Sequence, residues 1–494
     1  MASMTNSNDA PKDRLAHARH WIGGEWVDSA EHRDSFDPAT GDKIGTYAEA
    51  DETVADRAVA VALKTFRESS WRGDRRMRAK AINEMADVFE AATEELIEIL
   101  SLENGKVKPE ARFEVEMVPG KLRFYAALAL TDYGRAMETS PGKYTQVLRE
   151  PMGVAGILAP WNSPVVLFIR SLAPALAAGC TVVGKLPGST AQTNTRMNEL
   201  FAKVTSMPVG VINMINEGGS AAARRFVAHP DVPMISLTGS SKTGQQIMAN
   251  GAPNMKRFGG ELGGKTPMIL LDDADLDKAL PVIEKALTTF AGQFCMTGSR
   301  LLVHRPILDE VRKRMADRLE AVKVGPASDP SSDMGPIIDK PNVERINKLV
   351  EQAIAQGAKS VVRGGPITDG PLAKGAFYRP TLLEIEDHSL PIAQNEVFGP
   401  VLVMQAFDDE AEAVRLANDS MYGLSASVWS TDVDRPMRVA RQLEAGTVWI
   451  NNWAVVYDES EEGGYKQSGL GRLNGASAIE DFVEYRTIIH EVAL

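Results

Sequence analysis

Between residues 154 and 250 the chain repeats one phrase four times: a short apolar run, then a stretch with apolar residues recurring at three and four. The runs fall at 154–158, 181–185, 211–215 and 234–238, and helices are expected over 165–178, 190–204, 219–228 and 241–250. Apolar runs without alternation read as buried strands. Four strand–helix units in succession leave few topologies, and the one expected is a parallel, doubly wound sheet of Rossmann type. Ligands of such sheets sit beyond the carboxyl ends of the strands. Trp161, Asn162, Lys185, Gly239 and Ser240 all fall there.

The flanks read differently. Residues 1–18 form a loose arm, and 20–27 a hairpin with its turn at Gly23-Gly24. Helical patterns cover about 53–68, 77–103 and 106–128, and short alternating pieces at 129–150 suggest two strands leaving the main body. A second α/β stretch runs from Met268 to about Ile450, with a strand at 301–303 and helices at 307–321, 341–356 and 410–418. The tail from Tyr485 is strand-like with no partner of its own, so it is expected to join a sheet edge in a neighbouring region or subunit. With 494 residues there is room for two or three domains. A net charge of −12 argues against nucleic acid as a partner. Cys180 and Cys295, the only cysteines, imply no disulfide framework and a reducing compartment. Without a secretory signal or a long apolar run, no membrane partner is expected and the cytoplasm is the expected location.

Two segments carry reactive side chains among small residues. Gly292-Gln293-Phe294-Cys295 offers a thiol, and Gly260-Glu261-Leu262-Gly263-Gly264-Lys265 a carboxylate. A thiol becomes a nucleophile once something removes its proton. Taken alone, these segments favour the plainer reading of a buried cysteine and two turns. Gly239-Ser240 opens a helix, and either presents N–H groups to an anion or simply caps it. Lys185 ends an apolar strand, where a ribose hydroxyl, a phosphate or a salt bridge would offset its burial. Asn162 either donates to a developing oxyanion or caps the helix beginning near 165.

Pro160-Trp161-Asn162, Lys185, Gly239-Ser240, the Glu261–Lys265 segment, the Gly292–Cys295 segment, Glu396-Val397-Phe398-Gly399-Pro400 and Gly463-Gly464-Tyr465-Lys466-Gln467-Ser468-Gly469 occur in a telling order. Over about residues 20 to 490 this order resembles the aldehyde dehydrogenase superfamily. The resemblance implies an aldehyde-dehydrogenase-like α/β fold: a dinucleotide-binding domain over 1–128 and 151–260, a catalytic domain over 261–470, and a small β oligomerisation element over 129–150 and 475–494. It implies oxidation of an aldehyde to the acid with NAD and/or NADP, in a homodimer or homotetramer. Cys295 would be the nucleophile, Asn162 the oxyanion donor and Glu261 the general base. Lys185 and Glu396 would bind the two riboses, Ser240 the pyrophosphate, and Trp161 and Phe398 the nicotinamide half. Leu158, Pro160, Gly188, Gly239 and Leu262 complete the implied cofactor contacts.

The chain departs from that pattern in places. Gly188 stands where a glutamate usually binds the adenine ribose; its loss removes a repulsion against a 2′-phosphate, so use of both cofactors is expected. Ser171 and Leu473 replace a lysine and a glutamate thought to carry protons behind the base, which leaves the route from Glu261 open. Arg170 replaces a tunnel aromatic and would meet a substrate carboxylate or hydroxyl, or else pair with an acid. Ser163 and Val456 replace aromatics, while Trp453 remains as a candidate wall. The loop Asp458-Glu459-Ser460-Glu461-Glu462 reads as a solvated acidic rim, or else it repels an anionic substrate or attracts a cationic one such as an aminoaldehyde, against the simple reading of Arg170. Two other readings stand beside the dehydrogenase: a cofactor-independent thioester or ester hydrolase using Cys295 and Glu261, and a non-catalytic scaffold. The presence of Lys185 and Glu396 argues against the hydrolase. The retention of Cys295, Glu261 and Asn162 argues against the scaffold. No metal site is expected, since the seven histidines are scattered in sequence.

Overall fold

The structure is a computed structural model that describes residues 15–131 and 133–492. Most of the expected loose arm lies outside the described residues. Its end is not loose: Leu15 N donates to Ile44 O at 3.0 Å and Ala18 N to Thr46 O at 2.8 Å, which lays residues 15–18 along the strand Lys43–Ala48.

The four strand–helix units build the core of an eight-stranded sheet. Five neighbouring strands are parallel, in the spatial order Ile212–Glu217, Thr181–Pro187, Val154–Leu158, Met234–Thr238, Arg257–Glu261. The chain works outward through three of them, then returns to the centre and continues on the other side. Strand order therefore reverses between Val154–Leu158 and Met234–Thr238, and a crevice must open beyond their carboxyl ends. The hairpin His20–Ile22 with Glu25–Val27 closes one edge, and the short strand Gly469–Leu470 closes the other, antiparallel to Arg257–Glu261.

A second sheet of seven strands spans Pro267–Leu270 to Thr447–Ile450, with six parallel strands and Lys359–Val362 antiparallel at one edge. A third sheet stands apart. Its middle strand, Lys143–Pro151, pairs antiparallel with Arg135–Ser140 and, from Val483↔Pro151 to Glu491↔Lys143, with the tail. The tail thus finds its partner within its own chain, in the excursion, where the alternation gave it none. The helix expected over 77–103 is two, Arg75–Ala91 and Thr93–Asn104, because Ala92 leaves the helical region at φ −104°, ψ 11°. Neither Gly nor Pro marks that break. Among the described residues no helix is long and apolar enough to cross a membrane.

The helix Pro164–Ala178 is buried along its whole length. Its first free N–H groups, on Val165 and Val166, donate to Glu114 Oε1 at 2.8 and 3.3 Å, so a distant carboxylate caps the helix. Glu114 is fully buried and ion-paired to Lys106, which also donates to Ser163 Oγ at 3.0 Å. Removing one partner strands the other charge in a dry interior. Glu114→Ala is therefore expected to cost about 3–5 kcal/mol, read as a lower urea midpoint.

Candidate active site

Cys295 follows the helix Leu276–Thr288 through a turn with three left-handed residues in a row: Phe290 (φ 54°), Ala291 (φ 53°) and Gly292 (φ 71°). Two non-glycine residues in that region store strain that the surroundings must hold. They do. A Cβ on Gly292 would lie 2.3 Å from the Gly399 carbonyl carbon, so only glycine lets the two loops touch. Gln293 Nε2 donates to Phe290 O at 3.0 Å, and its Oε1 accepts from Ile338 N at 2.9 Å. The thiol is thus carried on a loop fixed from both sides, and Cys295 is half-buried.

Two cavities meet at Cys295. One, of about 350 Å³, opens at the sheet's switch point and is lined by Pro160, Trp161, Asn162, Gly239, Ser240 and Leu262 from the first sheet. Glu396 and Phe398 close it from the second lobe. The other, of about 60 Å³, lies behind Cys295 and is walled by Phe113, Met117, Phe294 and Val456, with Arg170 and Glu462 at its polar side. A third cavity of about 390 Å³ shares Trp161 with the first and contains Lys185 and Gly188. Burial draws the Lys185 ammonium below its usual range, against Glu217 and Glu49. A groove therefore runs from Lys185 past Trp161 to the thiol.

The local sequence explains this shape. Ser240 caps the helix Ser241–Gly251 and accepts from Thr243 N at 3.2 Å, which leaves that helix's N-terminus facing the cavity. A Cβ on Gly263 would lie 2.7 Å from Glu396 Oε2, and one on Gly264 2.4 Å from the Cys295 carbonyl oxygen. The Gly-Gly pair is thus a close approach of three segments, not only a turn. Gly264 N donates to Glu396 Oε1 at 3.1 Å, and burial pushes that carboxyl up to about 7. The late glycine motif buttresses the same loop, with Leu262 N donating to Ser468 O at 2.8 Å and Ser468 Oγ to Gly263 O at 2.6 Å. Phe398, itself left-handed at φ 54°, meets Trp161 edge-on at 5.5 Å.

Asn162 does not cap its helix; Ser163 occupies that position. Its Nδ2 donates instead to Gln293 O at 3.0 Å, two residues before the thiol. Glu261 ends its strand opposite Thr238, is buried, and has Oε1 without a hydrogen-bond partner among the described residues. Burial pushes its carboxyl up to about 8 and the Cys295 thiol up to about 12; for both, the strongest opposing influence is the Arg170 guanidinium.

Two expected contacts fall elsewhere, and the acidic loop differs from its reading. Leu158 packs in the hydrophobic core beside Val183 and Ile235 instead of lining the groove, because a strand buried on both faces turns its last side chain inward. Trp453 is not a wall: its Nε1 donates to Met296 O at 2.8 Å, and its ring backs Phe294 edge-on. The acidic loop is not a solvated rim where it matters. Glu462 is buried and accepts from Arg170 at 2.8 Å, and Asp458 accepts from Lys121 at 2.5 Å. Arg170 therefore already has its acid, supplied by the loop that seemed to oppose it. Ser171 accepts a hydrogen bond from Ser236 Oγ at 2.9 Å, and Leu473 is buried. Sequence reading passed over Asn342, Arg345 and Tyr47, which line the groove. Asp339 before Lys340-Pro341 signals a helix start, but nothing local says which cavity that helix faces.

His17, Asp28 and His32, scattered in sequence, converge at the surface. Asp28 Oδ1 lies 3.0 and 2.9 Å from the two ring nitrogens, a set of hydrogen bonds that accounts for the cluster without an ion.

Sheet order, switch-point crevice and the half-buried thiol at its inner end together define a two-lobed α/β enzyme built for a dinucleotide. Residues 26–488 match the sequence profile of the aldehyde dehydrogenase family. The chain is 35% identical over 472 residues to a betaine aldehyde dehydrogenase of Bacillus subtilis (strain 168), covering 95% of this chain and 96% of that protein. It is 36% identical over 481 residues to an aldehyde dehydrogenase of Enchytraeus buchholzi, covering 96% of each. A crystal structure of betaine aldehyde dehydrogenase from Staphylococcus aureus in complex with NAD+ superimposes with a TM-score of 0.94 at 36% identity, over 96% of this chain and 95% of that one. The chain belongs to the aldehyde dehydrogenase family, oxidoreductases that act on aldehydes with NAD(P)+.

Proposed function

We propose that Cys295 is the nucleophile, Asn162 the oxyanion donor and Glu261 the general base of aldehyde oxidation. The observation that carries this reading is the place of the thiol: of the residues that line both the switch-point groove and the apolar cavity behind it, Leu167 and Cys295, only Cys295 bears a nucleophile. The groove fits a dinucleotide: the Ser241–Gly251 helix end for the pyrophosphate, Lys185 and Glu396 for the riboses, and the Trp161–Phe398 pair for the nicotinamide half. Cys295 as thiolate forms a C–S bond to the carbonyl carbon, and the oxygen becomes an oxyanion. Asn162 has two amide protons, one spent on Gln293 O and one free for that oxygen, joined by the Cys295 N–H. A bound nicotinamide accepts the hydride that leaves this carbon. The thioester left on Cys295 is then cleaved by water whose proton Glu261 takes, and the acid departs. A simple ester hydrolase would leave Lys185 and Glu396 without a task.

The aldehyde is proposed to be uncharged. On the substrate side Arg170 is neutralised by Glu462 and Lys121 by Asp458, while Lys106 lies 3.7 Å over the face of Phe290. A carboxylate or quaternary ammonium would enter without a partner, at a cost of more than about 1.4 kcal/mol. The reduction of NAD+ at 340 nm across an aldehyde panel tests both points. Cys295-dependent turnover is expected, with neutral aldehydes exceeding ω-carboxylated and trimethylammonium ones by at least ~10-fold in kcat/KM.

Both cofactors are proposed to serve. A Cβ on Gly188 would lie 2.2 Å from Tyr47 Oη, so the residue leaves no room for an acidic side chain, and the two acids that act on Lys185 are held by backbone. Glu49 accepts from Gly218 and Gly219 N, and Glu217 from Ala222 and Ala223 N. The KM for NADP+ is expected within about 100-fold of that for NAD+, a discrimination below ~2.8 kcal/mol. Steady-state titration of each cofactor checks it. Two unpaired thiols suit a reducing cytoplasm, and the exposed third sheet suits assembly into a homodimer or homotetramer.

A further inference from the structure

We infer that Arg170, clamped by Glu462 and reached from the surface through Asn474 and Lys121, is a positioning residue that sets the charge state of both Glu261 and Cys295. The inference rests on the roles proposed for those two groups. Arg170 projects from the buried helix Pro164–Ala178 and lines the cavity behind the thiol. Its Nη1 donates to Glu462 Oε1 at 2.8 Å, and its Nη2 lies 3.4 Å from Thr238 Oγ1. Thr238 is the cross-strand partner of Glu261, so the guanidinium reaches the strand end that carries the carboxyl while lining the same cavity as the thiol.

Glu462 cannot swing away. Its second oxygen accepts from Asn474 Nδ2 at 3.0 Å, Asn474 Oδ1 accepts from Lys121 Nζ at 2.5 Å, and Lys121 is paired in turn to Asp458. The chain of contacts thus fixes the guanidinium from behind. This arrangement is a poor way to gain stability. Buried ion pairs often break even against apolar replacements, and Arg170 Nε is buried without a hydrogen-bond partner among the described residues.

The charges around the two reactive groups give Arg170 a distinct role. Glu261 faces Arg170, Glu462, Arg472 and Asp481; Cys295 faces Arg170, Glu462, Glu396 and Glu261. In both fields Arg170 is the strongest charge favouring the ionised form, and Glu462 the strongest opposing it. Glu462 is therefore both clamp and attenuator: it holds the cation in place and cancels part of its pull. Ser171 and Leu473 carry no charge to share this task, and Arg170 with Glu462 supplies it from another direction.

Opposite-sign shifts test this. The rate of Cys295 alkylation by iodoacetamide is measured against pH in the free enzyme, and steady-state aldehyde oxidation is measured in parallel. Arg170→Gln is expected to move both midpoints to higher pH, and Glu462→Gln to lower pH, each by about 1 unit or more. Arg170→Lys, which keeps the charge, is expected to restore most of the shift. If both Gln variants lower the amplitude with unmoved midpoints, or move them in the same direction, the role is structural and the inference falls. Should Arg170→Gln fail to fold, the acid shift in Glu462→Gln decides alone. Labelling that persists in Cys295→Ala would overturn the nucleophile assignment itself, a result distinct from the midpoint test.

Discussion

Cys295→Ala is expected to lower aldehyde oxidation by at least ~10⁴-fold while leaving cofactor binding within about twofold, because removing the proposed nucleophile would remove the covalent route, not the groove. The separation follows from the structure. Cys295 lines the first cavity, whereas Lys185 and Gly188 lie in a compartment joined to it through Trp161. Cofactor titration by protein fluorescence, alongside absorbance at 340 nm, would measure both halves. A variant that still turned over at a tenth of the wild-type rate would require another nucleophile, and Cys180 offers none: it is fully buried and its thiol is pushed up to about 11.

Glu261→Gln should fail later in the cycle. Attack and oxidation need no carboxylate, so the variant is expected to release one equivalent of NADH per site in a burst and then slow by about 10²–10⁴-fold at the hydrolytic step. The pH dependence adds a second check. Burial raises the Glu261 carboxyl to about 8, so the basic form grows as pH rises through that value, and the wild-type hydrolytic rate should climb with it. The Gln variant should lose that limb. Rapid-quench trapping of the thioester on Cys295 between pH 6 and 9 would show both effects.

The doubly wound sheet was legible because its signal is local: each strand announces itself by a short apolar run and each crossover by a change of period. The placement of Trp161, Asn162, Lys185 and Ser240 followed from topology alone, since strand ends in such sheets converge. What the sequence could not show was pairing across distance. Arg170 and Glu462 meet across 292 residues of chain, and Glu114 and the helix it caps across 51. Composition saw a loop of acids and an isolated arginine as rivals, where folding makes them one neutral unit. Leu158 and Trp453 show the reverse error. A side chain's direction depends on what it packs against, and these two turn into the core or behind another ring.

The strand that ends in Glu261 is bordered by Gly469–Leu470, and the same segment runs on through Ser477–Phe482 into the outer strand Val483–Glu491. Arg257, at the start of the Glu261 strand, rivets that continuation through Glu480 O and Val483 O at 3.0 and 2.5 Å. Glu261 thus sits on a plank nailed to the arm that reaches outside the body of the enzyme. A load placed on that arm would therefore reach the strand of Glu261 before it reached the compartment around Lys185, so the two ends of the groove differ in how closely they are tied to the outer sheet.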